Sequence, residues 1–207
     1  MQMNVTAGLD SPAPPPEIGP LVASADWPVR SGLPPPLADR FSTRPETGPD
    51  LAMALDRSPM IALVPRSRRT GAGSAHDWLR CNGKTQLAVY YAESQWRARS
   101  IDLLVWIDAS STASIMAGYV EAARIITGTP LPGTAESVAV SFLSWLSQTD
   151  RNWLVVLDDL PDVEVLQGLW PGGPSGQVVI TTPNTPAMRA CTTCLPSRSG
   201  RSAGARQ

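Results

Sequence analysis

The sequence is poor in several residue types, and each shortage narrows what the chain can do. Its 207 residues include one histidine, three cysteines and a single lysine, Lys84, although Lys and Arg together number 17. Three cysteines do not suggest the disulfide framework of a small secreted domain. No apolar run approaches the roughly 20 residues that a membrane-spanning helix needs. We therefore expect a chain without a disulfide scaffold and without a membrane partner.

The chain also lacks an excess of charge of either sign. Its 17 basic and 18 acidic residues leave a formal net charge of −1. Binding to nucleic acid usually needs a concentrated positive surface, so we expect no nucleic-acid partner. The first residues carry an acid and prolines, where a secretory signal needs a basic patch and an apolar stretch. These features together predict a cytoplasmic protein.

The distribution of proline and of apolar residues divides the chain into four parts, enough for one domain with tails. The prolines of residues 1–25 predict a disordered or extended leader. Residues 26–58 are expected to form an entry arm with apolar anchors and a short helix capped by Asp50. Apolar strands alternate with helices over residues 59–183, which predicts an α/β fold with a parallel sheet. Residues 184–207 have no apolar periodicity and are predicted to be disordered.

The single lysine occurs where its chemistry has a specific use. Lys84 lies between Gly83 and Thr85, directly before a segment with helical apolar spacing. A compact ammonium can enter between phosphate oxygens that backbone amides already hold, whereas arginine presents a wide planar fork. Gly-Lys-Thr at the start of a helix is typical of a phosphate-binding P-loop. The pattern predicts that Lys84 contacts phosphates and that the Thr85 hydroxyl ligates Mg²⁺.

A second signal is the apolar segment Trp153–Leu157, which ends in Asp158 and Asp159. In P-loop proteins a carboxylate at the end of such a strand, expected next to the loop's own strand, holds Mg²⁺. We assign that role to Asp158, and we expect Asp159 to position or deprotonate the attacking water as the catalytic residue. Each signal also has a purely structural explanation, because Gly-Lys-Thr can begin any helix and paired acids can end any strand. Their occurrence together favours a nucleotide site.

The predicted loop departs from the full pattern G-x-x-x-x-G-K-[ST] at its first glycine. Trp78 stands where that glycine belongs, and the nearest upstream glycines are Gly73 and Gly71. A bulky side chain is a poor substitute where backbone must approach phosphate closely. Either an insertion distorts the loop or the loop is degenerate, and in both cases we expect weaker nucleotide affinity.

A set of short phrases spread over residues 26–183 resembles one protein family. The phrases are Gly83-Lys84-Thr85-Gln86-Leu87-Ala88, Trp106-Ile107-Asp108-Ala109, Trp153-Leu154-Val155-Val156-Leu157-Asp158-Asp159-Leu160, Leu169-Trp170-Pro171 and Ile180-Thr181-Thr182. Together they resemble the NB-ARC class of STAND P-loop ATPases, and in particular actinobacterial proteins in which tetratricopeptide repeats follow such a domain. The entry arm is also similar to the segment that precedes the domain in those proteins.

The resemblance implies a three-layer P-loop NTPase fold that binds ATP or ADP with Mg²⁺ in a signalling or regulatory ATPase. It implies that Gly83, Lys84, Thr85 and Gln86 contact the nucleotide, and that a protein partner or self-association is the output. The family has an arginine that senses the γ-phosphate where this chain has Pro183. Since proline offers neither a charge nor a donor, we expect weak or impaired hydrolysis. The sequence after Pro183 is unlike the family's following regions, so we expect a truncated or frame-disrupted relative.

Two alternatives to a nucleotide-binding domain stay open. The chain could be a non-catalytic interaction fragment that keeps the α/β scaffold without useful nucleotide affinity, and Trp78 and Pro183 favour that interpretation. Cys191 and Cys194 have C-x2-C spacing and, with Cys81 and the single histidine at position 76, could nominally complete a zinc site. Because the cysteine pair lies in a tail without a periodic core, incidental spacing is the better explanation.

Overall fold

The computed structural model describes residues 21–38, 47–64, 83–183 and 194–196, and for residues 47–50, 64 and 194–196 it describes the backbone alone. These residues form an α/β fold of three layers, with a parallel sheet between two layers of helices. The strands are β1 (Val29–Ser31), β2 (Met60–Val64), β3 (Leu103–Asp108), β4 (Trp153–Asp158), β5 (Gly176–Thr181) and β6 (Cys194–Pro196). The helices are α1 (Thr47–Arg57), α2 (Gly83–Arg97), α3 (Thr112–Thr127) and α4 (Ala135–Gln148), with a 3₁₀ turn at Val163–Leu166.

The strands pair in the order β1-β3-β4-β5-β2-β6, and every pairing is parallel. Strands β3 and β4 read as nearly continuous apolar runs, which is typical of strands that helices cover on both faces. The predicted α/β fold with a parallel sheet is therefore confirmed. Among the described residues, no helix combines the length and the apolar character that crossing a membrane takes.

Alternate residues of each strand enter different cores, because side chains along a strand point to opposite faces. Val105 and Ile107 pack with α3 and α4 on one face, whereas Leu104 and Trp106 pack with α1 and α2 on the other. Residues of both cores are almost fully buried. Burial of each large apolar side chain contributes about 1.5–3 kcal/mol, so both helix layers are held by the sheet.

Local signals define the ends of α3 and α4. Ser111 caps α3, since its hydroxyl accepts a hydrogen bond from the Ser114 N–H at 3.1 Å. Thr134 caps α4 in the same way, through the Ser137 N–H at 3.2 Å. Gly128 ends α3 with φ of 73°, a left-handed conformation that glycine adopts at low cost.

Helix α1 differs from the prediction for the entry arm. It begins at Thr47, so Asp50 lies in its first turn and is not its cap. Pro49 fits within the helix because proline is tolerated in a first helical turn, where its missing N–H would have no intrahelical partner.

Parts of both predicted tails have structure. Leu21, in the predicted leader, is buried with 8% exposure, and the N–H groups of Ser24 and Ala25 donate to the Ile126 carbonyl. The last carbonyls of a helix need such partners, and this need orders the leader's final residues. In the predicted disordered tail, Cys194–Pro196 pairs with the free side of β2, since an open strand edge presents unpaired backbone groups.

Candidate functional site

The candidate site lies at the carboxyl edge of the sheet, where polar residues follow the buried strands. Asp158 ends β4, Thr181 ends β5, and the first turn of α2 lies against them. The carboxyl ends of parallel strands are the usual position for ligand binding in open α/β folds. The topology therefore gathers residues that are far apart in the sequence.

Thr85 and Asp158, the two predicted magnesium residues, are in direct contact. The Thr85 hydroxyl donates a hydrogen bond to Asp158 Oδ1 at 2.8 Å, across 73 positions of sequence. The expectation that Asp158 would come from the strand next to β2 is wrong, because β5 lies between β2 and β4. The contact forms across the intervening strand because α2 begins above the ends of these strands.

Thr181 is a residue of the site that sequence reasoning missed. Its hydroxyl donates to Asp158 Oδ1 at 2.5 Å and accepts the Asp159 N–H at 2.9 Å. The hydroxyl is buried, with the residue at 2% exposure. Its position at the end of an apolar strand was the available signal, but strand order had to be known before that signal could be used.

Asp159, the predicted catalytic residue, has an unusual backbone. Its φ is 61°, a left-handed conformation that is uncommon for a residue other than glycine. Such conformations cost about 1–3 kcal/mol and concentrate at functional sites. The side chain is exposed and makes no hydrogen bond to any residue that the structure describes. Asp159 is thus held by its backbone while its carboxylate faces outward.

Lys84 lies in the first turn of α2 and is buried, with 5% exposure. A helix N-terminus carries partial positive charge and attracts anions, and an ammonium in the first turn adds to that attraction. Gly83 begins the helix and is exposed, and a Cβ at this position would meet no described atom within 4 Å. Packing against the described residues therefore does not require glycine at this position, whereas close approach of a phosphate does.

Gln86 connects α2 to the entry arm. Its Oε1 accepts the Ala38 N–H at 2.7 Å, and its Nε2 donates to the Pro36 carbonyl at 3.2 Å. Both functional groups of the side-chain amide are thus used by the arm. The observed role of the Gln86 side chain is therefore structural. Contact between Gln86 and a nucleotide stays a prediction.

The donor set at Thr85 and Asp158 fits Mg²⁺. A hydroxyl and a carboxylate are hard oxygen ligands, and Mg²⁺ is usually bound by one or two protein groups together with substrate phosphates and water. Within the described ranges, no group of three or more His, Cys, Asp or Glu side chains could hold a metal ion alone. A metal at this edge would therefore depend on a phosphate-bearing ligand.

The other sequence signals have different outcomes. Trp78, His76 and two of the three cysteines lie outside the described residues, while Cys194 belongs to β6. Pro183 follows β5 and is exposed, directly after Thr182, whose N–H donates to the Leu63 carbonyl. The site therefore has no arginine at position 183.

A cavity of about 400 Å³ lies elsewhere on the molecule, between the entry arm and the outer side of α2. Its lining includes Pro34, Leu37, Tyr90 and Arg97, and none of the predicted site residues. The candidate site at Asp158 and this apolar cavity therefore lie at different places on the molecule.

No protein-family model matches the chain, and comparison with curated proteins also finds no match. The likeness to NB-ARC domains therefore depends on the short phrases of the sequence alone.

Proposed function

We propose that the chain binds ATP or ADP with Mg²⁺ at the carboxyl edge of the sheet. The observation that carries this proposal is the hydrogen bond from Thr85 to Asp158, because it joins the residues that two independent sequence signals assign to one magnesium ion. Gly83 and Lys84 precede Thr85 at the start of α2, where a phosphate would meet helix amides and an ammonium.

Each residue has a defined task in this proposal. The first-turn amides of α2 and the Lys84 ammonium would bind phosphate oxygens. Thr85 and Asp158 would hold Mg²⁺, which supplies charge neutralisation at the phosphates. Asp159 would orient or deprotonate a water molecule.

We further propose that binding, and not rapid turnover, is the main activity. Pro183 carries no charge at the position where the resembling family senses a γ-phosphate, and this absence favours slow or absent hydrolysis. On this proposal the chain is the nucleotide-binding domain of a cytoplasmic STAND-type signalling ATPase. Its output would be contact with a protein partner or self-association.

A second candidate function is that of an interaction fragment without nucleotide affinity. The cavity beside α2 favours it, because Leu37 and Tyr90 expose apolar surface there, at 40% and 37%. Apolar surface of this kind can receive another protein.

Isothermal titration with ADP and Mg²⁺ distinguishes the two candidates. We expect binding by the wild type, and binding weaker by about 10- to 100-fold in Lys84→Met, since hydrogen bonds to charged groups contribute about 1.5–3 kcal/mol. Arg97→Met is the matched control, because it removes a positive charge from the opposite end of α2. No heat from any of the three proteins would favour the interaction fragment.

Turnover is tested separately. In single-turnover ATP hydrolysis, Asp159→Asn is expected to be slower than the wild type by about 100-fold or more, the usual contribution of a general base. Equal and measurable rates for the two proteins would remove Asp159 from the chemistry and leave the binding proposal intact.

A further inference from the structure

We infer that Thr181 is a positioning residue that fixes the orientation of both acids of the site, Asp158 and Asp159. Its hydroxyl orients the Asp158 carboxylate for Mg²⁺, and it fixes the backbone from which the Asp159 carboxylate projects. This inference rests on the proposed nucleotide site and adds to it a residue from β5, the strand between β2 and β4.

The direction of the two hydrogen bonds at Thr181 follows from chemistry. The Asp159 N–H can only donate, so the Thr181 oxygen accepts it at 2.9 Å. The single hydroxyl proton is then available for Asp158 Oδ1, 2.5 Å away. Both interactions are satisfied although Thr181 is buried, at 2% exposure. The hydroxyl therefore fixes two neighbouring residues at once.

The backbone of Thr181 also contacts the residue after Asp159. Its carbonyl accepts the Leu160 N–H at 2.8 Å. Thr181 thus contacts three successive residues, Asp158 through its proton, Asp159 through its oxygen and Leu160 through its carbonyl. The left-handed Asp159, with φ of 61°, lies in the middle of this segment. A strained residue persists only where its surroundings determine it, and here the end of β5 does so.

The effect on the metal passes through Asp158. Its Oδ1 accepts hydrogen bonds from both Thr85 and Thr181, at 2.8 Å and 2.5 Å. Two donors on one oxygen fix the orientation of the carboxylate plane, and groups that orient metal-binding residues typically change metal affinity by 10- to 100-fold. Loss of the Thr181 hydroxyl should therefore weaken metal-dependent binding more than phosphate binding itself.

The test compares ADP affinity with Mg²⁺ and ADP affinity in EDTA. Thr181→Val keeps the shape of the side chain and removes the hydroxyl, whereas Thr181→Ser keeps the hydroxyl. We expect the Mg²⁺-dependent gain in affinity to fall about 10-fold in Thr181→Val and to return to within about 3-fold of wild type in Thr181→Ser. Tyr119→Phe is the control, because it removes another buried hydroxyl, bonded to the Leu169 carbonyl at 3.0 Å, far from the site.

Two results would overturn the inference. One is an equal loss of affinity with and without Mg²⁺ in Thr181→Val, which would indicate a structural role only. The other is failure of Thr181→Ser to restore the Mg²⁺-dependent gain.

Amide hydrogen exchange at Asp159 gives a readout that needs no nucleotide. We expect slow exchange in the wild type and in Thr181→Ser, and exchange at least 10-fold faster in Thr181→Val, with the amides of β4 unchanged. If the wild type binds no ADP in either condition, the proposed function fails, and the exchange rate still decides whether Thr181 holds Asp159. Fast exchange in the wild type would contradict the positioning role.

Discussion

Helices α2 and α3 begin at the same edge of the sheet, on opposite faces, and their first turns differ in polarity. In α3 the Ser111 hydroxyl accepts the Ser114 N–H, so the helix supplies its own cap. In α2 the first turn carries a buried cation, Lys84. Next to it, the Thr85 hydroxyl donates to Asp158. On the proposed function, the start of α3 serves folding and the start of α2 serves binding.

The charge at a helix start affects the free energy of the helix. A cation at a helix N-terminus is unfavourable by about 0.3–1 kcal/mol, whereas an anion at the same place is favourable. Natural proteins accept such local conflicts mainly at functional sites. The positive charge at the start of α2 therefore suits an anion such as phosphate.

The largest loss of stability is expected from Phe142→Ala, on the face of the sheet that α3 and α4 cover. Phe142 is fully buried between α3 and α4 and packs against Tyr119 at 5.5 Å between ring centroids. Removing a buried aromatic ring costs about 3–5 kcal/mol, which urea unfolding would measure. ADP affinity below the unfolding transition should not change. Loss of ADP affinity without loss of stability would contradict the view that the α3 and α4 face contributes to folding and not to binding.

A smaller effect is expected from Tyr91→Phe, which tests the buried side of α2. The Tyr91 hydroxyl donates to Gln177 Oε1 at 2.7 Å and ties the helix to β5. Its loss should cost about 1.5 kcal/mol in chemical denaturation. A cost below about 0.3 kcal/mol would indicate that the sheet holds α2 without this bond.

The same residue predicts a dependence on alkaline pH. Burial raises the pKa of Tyr91 from 10.0 to about 12. The unfolded chain loses this proton near pH 10 while the folded chain keeps it, so the stabilisation is complete below pH 10 and is lost as pH rises to 12. Between those values the stability of Tyr91→Phe should fall less steeply than that of the wild type. Equal slopes would show that Tyr91 ionises normally.

Ser111→Ala is expected to cost about 1 kcal/mol, the usual value of an N-cap. Because this cap serves α3 alone, thermal unfolding should shift and ADP affinity should not. A change in affinity of more than about 3-fold would mean that the starts of α3 and α2 are coupled.

The smallest effect is expected from Glu121→Gln on the exposed face of α3. Hydrogen bonds from Arg124 lower the pKa of Glu121, with Nη2 lying 2.6 Å from Oε1. The sign follows from linkage: the pair stabilises the fold above the ordinary pKa of 4.5 and loses this contribution as pH falls through the lowered pKa. Solvent screens such pairs, so wild type and variant should differ only slightly at pH 7, and the difference should shrink as pH falls below 4.5. A large difference at pH 7 would contradict the exposed setting.

The elements on the α3 face could be predicted almost completely from the sequence, because local signals define them. Helical spacing, the Ser111 cap and Gly128 lie within one stretch of chain. The motifs bring Thr85 and Asp158 to attention because phosphate and magnesium chemistry restricts the residue types, and the structure places these two residues in contact.

The remaining parts of the site depend on strand order, which no local pattern encodes. Thr181 joins the site because β5 lies between β2 and β4. Gln86 meets Pro36 because β1 adds to the far edge of the sheet and carries the arm past α2. Both residues are ordinary polar residues in sequence, and tertiary pairing gives them their roles.

The central claim is tested most directly by thermal unfolding of wild type and Lys84→Met with and without Mg²⁺-ADP. The melting temperature of each protein without nucleotide is its own reference, since Met keeps the apolar stem and removes the ammonium. At 100 times the wild-type Kd, binding adds about 2.7 kcal/mol, which raises the wild-type Tm by roughly 5–10 °C and leaves Lys84→Met nearly unchanged. Equal shifts in both proteins, or no shift in either, would contradict a nucleotide site at the start of α2.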